Sequence, residues 1–232
     1  MEKKPWKLDG HERVRLGKMT HPVRGFLHGT AAIVSLVGAI LITVLAAGGF
    51  GERLSLLVFG LSLVALYTVS SLYHSIPWQD VWRDRMQRLD HTMIHVLVAG
   101  TFTPIAFIVL DGWLRWITLA VQWGIVAAGA IQKFAREDPS RRLSIALSTT
   151  QGWLALMLLW PLSQRLPWTA LMLLGLGGVF YTGGMVIMVT GRPKLWPRVV
   201  SSHEIFHVFV VAGSSVHFAV VAGYVARYAP AL

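Results

Sequence analysis

Residues 24–47 read RGFLHGTAAIVSLVGAILITVLAA, a run whose one permanent charge is Arg24 at its head. A helix needs about 20 mostly apolar residues to cross the hydrocarbon of a bilayer, and in lipid every backbone N–H and C=O must be satisfied within the segment. This run meets the first requirement, and as a helix it meets the second. Comparable runs lie near 54–75, 90–110, 113–133, 143–160, 168–190 and 203–226. The expected fold is therefore all-α, an integral membrane bundle of seven transmembrane helices. Gly48-Gly49, Pro77, Asp111-Gly112, Pro139, Pro167 and Gly191-Arg192-Pro193 break the runs where charges return. Trp78, Trp82, Trp113, Trp116, Trp160, Trp168 and Trp196 fall at or near these edges, where amphipathic rings favour the headgroup layer.

Composition agrees: of 232 residues 54% are hydrophobic and only 14% charged, and mean hydropathy is +0.57, outside the range of soluble domains. The formal charge of +10 would suit a nucleic-acid binder, so the placement of the charges decides its meaning. With the N-terminus cytoplasmic, seven basic residues up to Arg24 face the cytoplasm, followed by Arg83, Arg85 and Arg88, by Lys133, Arg136, Arg141 and Arg142, and by Arg192, Lys194 and Arg198. Only Arg53, Arg115, Arg165 and Arg227 remain for the other side, so the split is 17 to 4. The positive-inside rule then puts the N-terminus in the cytoplasm and the C-terminus outside, as expected of a multi-pass protein of the cell (plasma or inner) membrane. No loop concentrates charge and interleaved aromatics enough for a nucleic-acid groove. The expected organisation is a basic cytoplasmic segment over residues 1–23 and a membrane domain over residues 24–232. The first 20 residues lack an apolar run, so no cleaved signal peptide is expected there. The sequence sets no oligomeric state.

Without a cysteine, a bound metal must rely on His, Asp, Glu or water. Ionisable groups within spans are costly and commonly mark function, which makes their depth informative. The second helix ends inward at His74, whereas the third and seventh begin inward at Asp90 and His203. His207 lies about 6 Å deeper than His203 on the same face, at 1.5 Å and 100° per residue, so the pair can chelate. Ser70 and His74 share that spacing. Three imidazoles, a carboxylate and a hydroxyl at one depth are what a zinc site with an open position requires, and zinc brings its water to a pKa near about 7. Asp90 would take the water proton and Ser70 would hydrogen-bond a substrate carbonyl.

Other polar groups compete. His91 and His95 also have chelating spacing, about 100° around the third helix from Asp90, and spacing does not choose between the pairs. His21 and His28 are assigned interfacial or helix-packing roles, His217 lies about 15 Å beyond His207 and too deep for the same ion, and Glu204 is expected to be solvated at a helix entrance. Gly175, Gly177, Gly178, Gly183 and Gly184 suit close helix packing. Pro104 should kink the third helix.

The string His203-Glu204-Ile205-Phe206-His207 with Val216-His217-Phe218 resembles the progestin and adipoQ receptor family and its bacterial haemolysin III branch. Ser70 to His74, Leu89-Asp90 with Gly100-Thr101-Phe102-Thr103-Pro104, and Thr20-His21 match further motifs, so the resemblance covers almost the whole chain. It implies seven helices and a zinc ion (Zn2+) held by His74, His203 and His207, with Asp90 and Ser70 matching the aspartate and serine beside it. Animal members, the adiponectin receptors, are linked to ceramide hydrolysis; bacterial members are associated with haemolysis and with membrane fluidity or energetics. Lacking the animal receptors' long N-terminal domain, the chain is similar to the bacterial branch. The expected function is a zinc-dependent hydrolase of a membrane lipid amide or ester that influences lipid homeostasis. The alternatives are a non-catalytic regulator, receptor or sensor with a structural zinc, or a haemolysin-like pore.

Overall fold

The computed structural model describes residues 7–8, 11–12, 16–193, 195–196 and 199–228. Seven helices in it are long and apolar enough to cross a membrane: Pro22–Val44, Phe50–Ser75, Asp80–Val109, Gly112–Phe134, Arg142–Ser163, Trp168–Thr190 and Ser202–Val225. They are referred to below as the first to seventh helices. The protein is an all-α, multi-pass membrane protein; a pairing of Lys7–Leu8 with His11–Glu12 precedes the bundle. Of the basic residues used to expect an orientation, Lys3, Lys4, Arg13, Arg15, Lys194 and Arg198 lie outside the described residues.

Local chemistry sets the helix ends. Pro22 opens the first helix, at a position where a missing N–H costs nothing. The sixth helix ends on Gly191 with φ of 66°, a left-handed cap that a residue without Cβ adopts freely. The seventh helix starts with a capping box: the Ser201 hydroxyl accepts from the His203 N–H, and the Glu204 carboxylate accepts from the Ser201 N–H. That cap fixes where His203 and His207 point.

The third helix starts ten residues before the expected 90–110 segment, because Asp80 to Leu89 is polar but still helical. There the Arg88 guanidinium donates to the carbonyls of Lys133, Arg136 and Glu137, closing the end of the fourth helix. After Pro104 the third helix continues as a π-helical turn, Ile105–Val109, so proline changes its winding without ending the span. This helix is central, with 67% of its apolar window buried against 11% for the fifth and sixth. Phe59, Leu56, Leu110 and Val220 form the surrounding core, while Trp82, Trp113, Trp116, Trp160, Trp168 and Trp196 are exposed.

The first and second helices approach through Gly60, where an added Cβ would stand 2.8 Å from the Ala39 Cα. Gly60→Ala is therefore expected to destabilise the protein by about 1–3 kcal/mol through overpacking. Gly178→Ala, whose Cβ would meet nothing within 4 Å, should be neutral or mildly stabilising. Unfolding of both variants in detergent micelles checks the contrast. Of the five glycines of the sixth helix, Gly177, Gly183 and Gly184 lie against His217, Phe209 and Phe206 of the seventh; Gly175 and Gly178 face open space.

Candidate metal centre

Packing of the second helix's last turn against the seventh helix's first two turns brings together three imidazoles. His74, His203 and His207 each offer one nitrogen, and these nitrogens lie within 4.8 Å of one another. The ring centroids are 5.3 Å apart for His74 and His203, 4.9 Å for His74 and His207, and 5.0 Å for His203 and His207. His74 and His207 are buried, each 2% exposed. The set fits a metal ion. Three neutral imidazoles without thiolates suit zinc, whose nitrogen ligands at about 2.0–2.1 Å stand about 3.4 Å apart in a tetrahedron, a contraction of roughly an ångström from this spread. Moreover, the Nε2 of His74 is buried without a hydrogen-bond partner among the described residues, an arrangement that costs about 1–3 kcal/mol and that a metal bond would relieve.

The cluster opens on a cavity of about 920 Å³, whose walls include Ser70, Asp90, His91, Lys133, Ser148 and Met185. Ser70 and Asp90 both line this cavity, and both are buried. The Lys133 ammonium, from the fourth helix, donates to Ser144 Oγ at 2.6 Å. All five residues singled out as metal ligands or catalytic groups thus line one cavity at one end of the bundle.

The other histidines separate. His91 lines the cavity outside the three-histidine group. His95 is fully buried and engaged elsewhere: its Nδ1 is 2.9 Å from Gln151 Oε1, and the Gln151 amide donates to the His95 and Gln122 carbonyls. This network joins the third, fourth and fifth helices, so the chelating spacing of His91 and His95 does not form a site. His217 Nε2 lies 3.2 Å from the Leu174 carbonyl, joining the seventh helix to the sixth. His21 sits close to the cluster, its ring 5.7 Å from that of His74. Its N–H and the Thr20 hydroxyl both donate to the His74 carbonyl, at 3.0 and 2.7 Å, occupying an acceptor that the helix end leaves open.

One expectation is corrected. Glu204 is not solvated: it is 3% exposed, and its Oε1 accepts from Arg24 Nε at 2.7 Å, because the capping box turns the carboxylate inward toward the first helix. Of the two roles open to His28, the structure shows helix packing: the residue lies between helices at 3% exposure, its ring 4.1 Å from that of His207. Sequence spacing hides both contacts, since the partners are 180 and 179 residues apart.

Residues 17–218 match the family profile described as Haemolysin-III related. The chain is 33% identical over 200 residues to Hemolysin-3 of Bacillus cereus, covering 85% of this chain and 88% of that protein. It is 31% identical over 193 residues to a Hemolysin-3 homolog of Bacillus subtilis (strain 168), covering 82% and 87%. Similarity extends to the monocyte to macrophage differentiation factor of Homo sapiens, 21% identical over 218 residues and covering 89% and 85%. Because the matched region takes in the first six helices whole and the seventh through Phe218, with every residue of the cluster, this seven-helix membrane protein belongs to the haemolysin III-related family.

Proposed function

We propose that the protein is a zinc-dependent hydrolase acting on an amide or ester of a membrane lipid at the cytoplasmic leaflet of the cell membrane. The observation that supports this most is the opening of His74, His203 and His207 onto a cavity that also contains Asp90 and Ser70, inside a bundle surrounded by lipid. The excess of Lys and Arg at the ends of the helices that carry the cluster supports a cytoplasmic location. Bound by the three imidazoles, zinc would supply Lewis acidity and an acidified water.

The chain's own groups do the rest. Asp90 accepts the proton of the attacking water and returns it to the leaving amine or alcohol. Ser70 orients Asp90 and donates to the carbonyl oxygen as negative charge develops there. The buried Lys133 ammonium stands in the same cavity wall and adds positive charge beside the site.

The test is Asp90→Asn, which keeps side-chain volume and removes the base. It should retain bound zinc while lipid turnover in vesicles containing ceramide and bacterial phospholipids falls by about 10²–10⁴-fold. A family member with a purely structural zinc would show no turnover in the wild type and no phenotype in the variant. Lipidomics of a deletion strain should show the substrate accumulating.

A further inference from the structure

We infer that His28 is the positioning residue of this metal centre: it accepts a hydrogen bond from the Nδ1–H of His207 and so presents Nε2 of His207 to the ion. The inference rests on the proposal above that His74, His203 and His207 hold a metal.

His207 Nδ1 and His28 Nε2 are 3.0 Å apart between two buried rings. A neutral imidazole carries one proton on two nitrogens, and a nitrogen that ligates a metal must be the bare one. With Nδ1 of His207 committed to His28, Nε2 is left for the ion; the proton then sits on Nδ1 and is donated. His28 Nε2 must accept it, which places the proton of His28 on its own Nδ1. That atom is buried and has no hydrogen-bond partner among the described residues, so no competing acceptor draws the His28 ring away from His207.

The His28 ring is itself held in place. The Tyr67 ring meets it in a T-shaped contact at 4.9 Å between centroids, and the Tyr67 hydroxyl hydrogen-bonds the Ser214 hydroxyl. Ser214 also donates to the Val210 carbonyl at 2.7 Å, fixing it to the seventh helix, seven residues beyond His207. The result is a closed loop of side chains through the first, second and seventh helices, with His28 at its centre. A histidine serving only as packing would need neither the aligned nitrogens nor the supporting tyrosine.

Outer partners of metal-bound histidines fix the tautomer and ring orientation, and their loss typically weakens metal affinity by about 10–100-fold. Zinc affinity by chelator competition, measured on full-length protein in detergent, is therefore expected to fall about 10–100-fold in His28→Phe. It should be largely restored in His28→Gln, whose amide oxygen can accept from His207. Cobalt absorption spectra should shift in the Phe variant and return in the Gln variant. Wild-type affinity and spectrum in His28→Phe would overturn the inference. So would a Gln variant as weak as the Phe variant, which would make His28 a space-filler or a direct ligand. If the Phe variant does not fold, ¹⁵N-histidine spectra of the zinc-loaded wild type decide: His207 should be protonated at Nδ1 and metal-bound at Nε2, and the reverse connectivity would refute the role. A wild type that takes up zinc but shows no dependence on His28 removes this inference alone; a wild type that takes up none removes the metal assignment with it.

Discussion

Purified His207→Ala protein is expected to be folded and to contain almost no zinc, whereas the wild type carries about one ion per chain, as a single three-imidazole site requires. Losing an outer partner costs about 10–100-fold in affinity, so losing a ligand should cost more than about 100-fold. The fold should survive because His207 lies at the cavity wall while the core of Phe59, Leu56, Leu110 and Val220 is unaffected. Lipid turnover should disappear with the metal. His95→Ala, by contrast, should keep the ion and lose stability, since His95 ties the third helix to Gln151. Metal analysis of the two variants separates a ligand from a packing histidine, and zinc retained in His207→Ala would refute the assignment.

The second large effect is expected from Arg24→Met. The Arg24–Glu204 pair joins the first and seventh helices, with side chains 6% and 3% exposed. Removing one member of a buried ion pair takes from the other charge its opposite across the helices, at a cost of up to about 3–5 kcal/mol, whereas replacing both is often close to neutral. Arg24→Met should therefore unfold at markedly lower temperature or denaturant, and Arg24→Met with Glu204→Gln should recover much of the loss. Because Glu204 also caps the seventh helix at Ser201, the recovery should stop short of the wild type by about 0.5–2 kcal/mol, the usual value of a cap. Equal stability of the single and double variants would show that the pair is not coupled.

The membrane fold was legible because lipid imposes length and composition on each segment, and seven apolar runs answer both requirements. What hydropathy reports, however, is the part of a helix in contact with hydrocarbon. The Asp80–Leu89 stretch is polar and leaves no such signal, although the helix runs through it. Its Arg88 is thereby placed to cap the fourth helix, which no local pattern foretells.

The three-histidine group was readable for a related reason: His203 and His207 share one helix face, and the direction of the spans put His74 at the same level. Its supports were harder to see. On the first helix, however, Arg24, His28, Ser35 and Ala39 are all buried and repeat at helical spacing, a polar and small stripe on an otherwise apolar helix. Such a stripe must face protein rather than lipid, so its burial was deducible even though its partners, Glu204 and His207, were not. The inward turn of the Glu204 carboxylate depended on a residue 180 positions away. His91 and His95 show the converse. Their spacing suggests chelation, but Gln151 and Gln122 on other helices supply His95 with hydrogen-bonded surroundings, and only the tertiary arrangement reveals it.

X-ray absorption at the zinc edge of the purified, full-length protein tests the central claim most directly. Three histidine nitrogens and one oxygen ligand at about 2.0–2.1 Å are expected, with the histidine count dropping when His74, His203 or His207 is replaced. A protein that is folded yet never takes up metal, or an ion whose shell is unchanged in all three variants, would contradict it.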